Sequence, residues 1–287
     1  MKPFFINMGL FQARLNDYPS SISPALNQIY GDCQPKEMSD FTVSLAPGSI
    51  VRKYLRPQIV FESNTQIPFK PLPFSQAYAL LEWGLNWCLA THDFNHLLLH
   101  SAVLVKNNKA VLFPALPGSG KSTLSCWLAI NGWKLYSDEM AVINTDSLTA
   151  EPLYRPACIK NRSIELVRGW QPDATITKVC SDTAKGDVAH AKFQTWTEYS
   201  CLQPVEIAGI VFPKYDGDLT EEQYYTIAKS QVFEELCQHA FNYHVLGYQA
   251  FDTVWRLIDK VKVFEVHYSN LDFMDEFLLD EVVGHGE

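Results

Sequence analysis

The segment Ala115-Leu116-Pro117-Gly118-Ser119-Gly120-Lys121-Ser122 constrains this chain more than any other. It joins the β-rich run Ala110 to Pro114 to a helix-forming stretch, Ser122 to Asn131, which Gly132 ends as a C-terminal cap. Glycines at 118 and 120 let backbone N–H groups turn inward around an anion, and the helix N-terminus adds the positive end of its dipole. A strand, a glycine turn and a helix in this order form a nucleotide phosphate loop, although Ala115 stands where the strict pattern has glycine. Pro117, Gly118, Ser119, Gly120, Lys121, Ser122 and Thr123 are therefore the expected nucleotide-binding residues. Lys121 is expected to reach the β- and γ-phosphates, and the Ser122 hydroxyl to bind Mg²⁺.

The next strand, Trp133 to Ser137, runs into Asp138-Glu139. An acid placed one helix and one strand after the loop lies at the carboxyl edge of the sheet, close to a γ-phosphate. In-line phosphoryl transfer needs a carboxylate there to take the acceptor's proton. Asp138 is the candidate base and Glu139 a candidate metal-site carboxylate. The chain contains neither an NKxD guanine reader nor an LSGGQ-like signature, so GTPase and ABC transporter readings fall.

The 287 residues carry 23 basic and 32 acidic side chains, a formal charge of −9. That acidic balance offers no footprint for a phosphate backbone, so nucleic acid is not an expected partner. With 47% hydrophobic and 19% charged residues the composition is globular. The start is broken by Pro3, Asn7 and Gly9 and lacks the apolar core of a secretory signal. No apolar stretch is long enough to span a bilayer. The seven cysteines form neither a zinc pattern nor a redox pair, which fits a reducing, cytoplasmic setting.

Residues 1–95 hold many of the irregular signals, including Pro19, Pro24, Pro35, Pro47, Pro57 and the PFKPLPF run, and read as an N-terminal accessory α+β region. Short strands are expected at Phe41 to Leu45 and Ile59 to Phe61, and a fully buried helix after Ser75. Residues 96–287 read as the core. There a hairpin joins Ser101–Lys106 to Ala110–Pro114 through Asn107-Asn108-Lys109. Further strands are expected at Ala141–Asn144, Val188–Ala191, Ile207–Phe212 and Val261–Val266. Helices are expected near Ser163–Gly169, Ser230–Ala240 and Gly247–Lys260. The class is mixed α/β.

The segments LHSAVLV, PALPGSGKSTL and GWKLYSDEMAVI, in this order, resemble the catalytic core of the HPr kinase/phosphorylase superfamily. LEWGLNWCLA, RPACIKNRSIE, DTAKGDVAH, FNYHVLG and HYSNLD resemble its narrower HprK-related kinase A group, and the likeness covers most of the chain. The resemblance implies a mixed-sheet P-loop kinase core shared with phosphoenolpyruvate carboxykinases. It also implies transfer of the γ-phosphoryl group of ATP to a serine hydroxyl of a peptide or small carrier protein. His100 matches the histidine before the family's hairpin, Lys121 and Ser122 its phosphate-loop residues, and Asp138 its catalytic aspartate. The chain departs from the true HPr enzymes in Glu139, where they carry a second aspartate, and in lacking a clear EIRGLG stretch, for which IELVRGW is the nearest analogue.

His92, His96 and His100 recur every four residues, but a strand beginning at Leu97 breaks helical spacing, so no metal site is expected from them. Lys160 and Asn161, and the polar loop Thr183, Lys185, Gly186 and His190, are candidate acceptor-binding residues. The acidic tail after Asp272 reads as a solvated face. Three functions stay open from the residues: a serine kinase on a peptide or small protein, a small-molecule hydroxyl kinase or carboxykinase-like phosphotransferase, and a non-catalytic nucleotide-binding regulator. Intact Lys121, Ser122 and Asp138 argue against the last. The acceptor and the oligomeric state, a homo-oligomer included, are left open.

Overall fold

The computed structural model describes residues 2–49, 55–115 and 118–286; Leu116 and Pro117 of the glycine loop lie outside the described residues. The accessory strands are β1 Phe4–Asn7, β2 Gln12–Leu15, β3 Phe41–Ala46, β4 Gln58–Ser63 and β5 Leu72–Pro73, with helices α1 Ser23–Tyr30 and α2 Ala77–His92. The chain continues through β6 His96–Leu99, β7 Ser101–Lys106, β8 Lys109–Pro114, α3 Lys121–Ile130, β9 Lys134–Ser137, β10 Ala141–Asn144 and β11 Thr149–Glu151. Next come β12 Ala157–Lys160, α4 Arg162–Trp170, β13 Thr175–Ile176, β14 Cys180–Thr183, β15 Gly186–Lys192 and α5 Trp196–Ser200. The remainder is β16 Val205–Tyr215, β17 Gln223–Thr226, α6 Lys229–His239, α7 Tyr243–Leu246, α8 Tyr248–Lys260, β18 Lys262–Tyr268 and α9 Leu271–Phe277.

The class is mixed α/β with mixed sheets, as the sequence predicts. The described residues contain no helix long and apolar enough to cross a membrane. Two compact units interleave along the chain: Met1–His92, Tyr154–Glu165 and Asp173–Cys201 in one, Asp93–Leu153, Leu166–Pro172 and Leu202–Glu287 in the other. The division expected along the chain ran at 95/96, so the described fold returns part of the later chain to the first unit.

The first unit holds a sheet of order β1-β2-β3-β4-β5 and a smaller one in which β15 pairs with β12, β13 and β14. Helix α2 buries Leu80, Leu81, Leu85, Cys88 and Leu89, which explains its apolar residues on nearly every side. The segment read as a polar loop is in fact a tight hairpin. Thr183 closes β14, Gly186 opens β15, and His190 lies within β15, where it is buried.

The second unit is built on a sheet of order β6-β10-β11-β16-β8-β7-β9, extended by β18 and β17. Its core gathers Leu97, Val103, Leu112, Ile143 and Ile210 from the strands and Leu236, Val254 and Leu257 from α6 and α8. The β7–β8 hairpin turns on Asn107 and Asn108, both at positive φ (51° and 58°), the left-handed geometry that a two-residue turn of this hand needs and asparagine tolerates. The tail after Asp272 differs from its reading as a solvated face. Met274, Phe277, Leu278, Val282 and Val283 are buried, and Asp275 accepts a 2.6 Å hydrogen bond from Trp133 Nε1. Its acids occupy one side of an amphipathic segment, which a count of charges alone does not reveal.

Candidate functional site

Strand direction decides which residues meet in the second unit. β8 runs parallel to β16, and β16 parallel to β18. β7 is antiparallel to both β8 and β9, so β9 runs the same way as β8. The carboxyl ends of β8, β9, β16 and β18 therefore share one edge with the start of β7. From that edge emerge the glycine loop after β8, Asp138 after β9, Tyr215 and Tyr268 at the ends of β16 and β18, and His100 just before β7.

A break in one ribbon shapes the centre of this edge. Segments 96–106 and 134–144 pair antiparallel; Leu99 stands opposite Ala141 and Val103 opposite Ser137 in the same register, which shifts by one residue beyond Val103. Between those pairs the ladder between the two segments is interrupted over 100–102 and 138–140, where β6 and β10 part from β7 and β9. His100 and Asp138 sit on opposite sides of this interruption. Their backbones lie outside the ladder there, and His100 N donates to His239 O at 2.7 Å instead.

The glycine loop delivers α3 to the same edge. Gly118 and Gly120 have φ of +94° and +85°, a region in which a side chain is strained. A Cβ on Gly120 would also lie 3.2 Å from Tyr215 Cβ. The ladder of α3 starts with Leu124 N donating to Gly120 O at 3.0 Å, so the N–H groups of Lys121, Ser122 and Thr123 stand outside it at the positive end of the helix. The Ser119 hydroxyl is buried and makes no hydrogen bond among the described residues. Buried polar atoms of this kind call for a ligand or water.

Lys121 is 7% exposed and Asp138 1% exposed. The Ser122 hydroxyl donates to Asp138 Oδ2 at 3.0 Å, which ties the first turn of α3 to the end of β9. Glu139 beside them is half-buried. The described residues include no group of three or more histidine, cysteine, aspartate or glutamate side chains that could hold a metal. A magnesium ion suits such a place only in company with phosphate, since it takes one or two protein oxygens and completes its octahedron with phosphate and water. Ser122 Oγ and a carboxylate of Asp138 or Glu139 are hard oxygen donors of that kind.

One residue at this edge carried no role in the sequence reading. His239, at the end of α6, is buried, and its ring lies 6.0 Å from that of His100. Burial holds its imidazole below the ordinary range, the Lys121 ammonium lowers it further, and Glu235 opposes both. Tyr268 faces Tyr215 at 5.6 Å between ring centres. Burial, then Tyr215 and Glu222, raise the Tyr268 phenol far above its usual range, so it stays protonated.

Lys160, Asn161, Lys185 and His190 belong to the first unit. Lys160 ends β12. Asn161 has φ +50°; its N–H donates to Asp187 O at 2.9 Å and its Oδ1 accepts from Asp187 N at 3.0 Å, so it fastens the start of β15. Lys185 occupies the β14–β15 turn, with Nζ 5.5 Å from the centre of the Trp83 ring. His190 is 2% exposed and meets the Tyr78 ring edge-on at 5.2 Å. These contacts give Asn161, Lys185 and His190 local roles in the hairpin. The structure thus gathers His100, Gly118, Ser119, Gly120, Lys121, Ser122, Thr123, Asp138 and Glu139 in one unit and the four candidate acceptor residues in the other. Compared with protein-family models the sequence matches none, and compared with curated proteins it again matches none.

Proposed function

We propose that this chain is an ATP- and Mg²⁺-dependent phosphotransferase, built on a P-loop kinase core, that moves the γ-phosphoryl group to a serine hydroxyl of a peptide or small protein. The observation that carries this reading is the pairing of Ser122 with the buried Asp138 beside a buried Lys121 at a helix N-terminus. The choice of serine and of a peptide acceptor rests on the resemblance to HprK-related kinases.

The residues divide the work. Loop N–H groups and the N-terminus of α3 hold the inner phosphates, and Lys121 neutralises charge toward the outer ones. Magnesium bound by Ser122 Oγ, a neighbouring carboxylate and the phosphate oxygens would screen the charge that develops on transfer. Asp138 takes the proton of the acceptor hydroxyl as its oxygen bonds to the γ-phosphorus. The bond from that phosphorus to the β–γ bridging oxygen breaks, and ADP leaves with the electron pair.

Titration calorimetry of Mg-ATP against the parent chain and Lys121→Ala tests the assignment. A buried charge-assisted contact supplies about 1.5–3 kcal/mol, so the variant is expected to bind roughly ten- to hundredfold more weakly. Equal affinities would remove the phosphate-loop reading.

A further inference from the structure

The segment after α6 is zipped onto β6. His100 N donates to His239 O at 2.7 Å and Phe241 N to Leu98 O at 2.8 Å. Leu98 N donates to the Asn242 side-chain oxygen at 3.0 Å, and the Asn242 amide reaches His96 O at 2.8 Å and Asp93 O at 3.2 Å. With Asn242 fully buried, this zipper leaves His239 little freedom.

The His239 side chain is 7% exposed, and its Nε2 lies 4.0 Å from Glu235 Oε2, beyond hydrogen-bond reach. Its ring makes no hydrogen bond among the described residues. The ring is thus largely enclosed while its N–H stays uncommitted to a protein acceptor. The groups around it are Glu235 on its own helix, His100 from the ribbon break and Lys121 from α3. Lys121, His100 and His239 together bring three nitrogen groups able to donate to an anion toward one place. Cations and imidazoles crowd together in this way where a polyanion is to be received. Loop N–H groups and α3 account for the inner phosphates, so the anionic group that remains for the two histidines, beside the Ser122–Asp138 pair, is the outermost one.

Resting on the nucleotide reading above, we infer that His239 donates a hydrogen bond to the terminal phosphoryl group and makes the site prefer a nucleoside triphosphate to a diphosphate. A diphosphate leaves the imidazole as it is in the free protein, and a triphosphate supplies an acceptor for its N–H.

Calorimetric titration of the full chain with Mg-ATP and with Mg-ADP, on the parent, His239→Phe and His239→Gln, tests this. Phenylalanine keeps a flat ring in the space and removes the donor, whereas glutamine keeps an N–H donor near the position of Nε2. His239→Phe is expected to lose roughly tenfold in ATP affinity with ADP changed by less than about twofold, and His239→Gln to recover part of that loss. Thermal unfolding of each variant checks that it is folded. If His239→Phe keeps the parental preference for ATP, or weakens ATP and ADP equally, His239 is a packing residue and the inference is overturned while the nucleotide site stands. A parent chain that binds neither nucleotide overturns the proposed function and this inference with it.

Discussion

At the scale of single residues, Asp138 separates binding from chemistry. It is almost wholly buried at a strand end and accepts the Ser122 hydroxyl at 3.0 Å. Asparagine preserves the shape and one acceptor oxygen and removes the charge. Asp138→Asn is expected to stay folded and bind nucleotide, but to transfer phosphoryl about 10²- to 10⁴-fold more slowly, the usual range for losing a general base. Mass spectrometry of a serine peptide incubated with ATP, beside a binding titration, reads both effects. Parental transfer rates would reduce Asp138 to a structural acid. Loss of binding and transfer together would place it in the metal site and leave Glu139 as the better base. Lys121, Ser122 and Asp138 were legible in the sequence because the loop and the following strand are local: neighbours in the chain are neighbours at the edge. His239 was not, because its place comes from the zipper of 239–242 onto β6, a contact between distant segments that no local pattern announces. His190 misled for a different reason: it was grouped with the polar turn residues before it, although it lies inside the strand expected at Val188–Ala191, where its side chain is buried.

At the scale of elements, the contact of α2 with β4 turns on Gly84. A Cβ there would lie 2.2 Å from Phe61 Cε2 and 2.4 Å from its Cδ2 and Cζ, and Phe61 is fully buried. Two effects compete in Gly84→Ala. Alanine gains up to about 1 kcal/mol of helix propensity. Overpacking a core with no room to yield costs about 1–3 kcal/mol. The second wins, so the variant is expected to unfold at lower denaturant concentration than the parent. A more stable variant would mean that the aromatic ring moves aside freely and that α2 is not seated by this contact. Helices α6 and α8 were legible because their apolar residues recur at helical spacing over three or more turns, and α2 because its long run is apolar on nearly every side. β17 was not, since all four of its residues are exposed and its only signal is pairing with β18. β13 has two residues, fewer than any period can mark.

At the scale of the whole molecule, the chain passes between the two compact units five times. A linear division at 95/96 therefore cuts the first unit apart. Arg155, in the later chain, donates from Nη2 to Glu82 Oε2 at 2.7 Å and to Glu82 O at 2.9 Å, with both side chains buried. Tyr30 donates to the same carboxylate at 3.1 Å. Asp32 accepts Lys192 Nζ at 2.8 Å and Trp196 N at 2.9 Å, and Tyr154 N donates to Met8 O at 2.9 Å. A chain consisting of residues 96–287 keeps Arg155 and loses Glu82. Stranding one member of a buried ion pair costs about 3–5 kcal/mol, a large share of the roughly 5–15 kcal/mol that keeps a domain folded. The apolar cover that α1 and α2 supply goes with it. The second unit loses only Asp93, Phe94 and Asn95 by the same cut, so its sheet is expected to persist. Hydrogen exchange on this shortened chain is therefore expected to show amides of β12 and β15 exchanging freely while those of β8 and β16 stay protected. Protection of β15 equal to that in the full chain would mean that residues 154–201 fold without the N-terminal segment, and that 96–287 is a self-sufficient core after all.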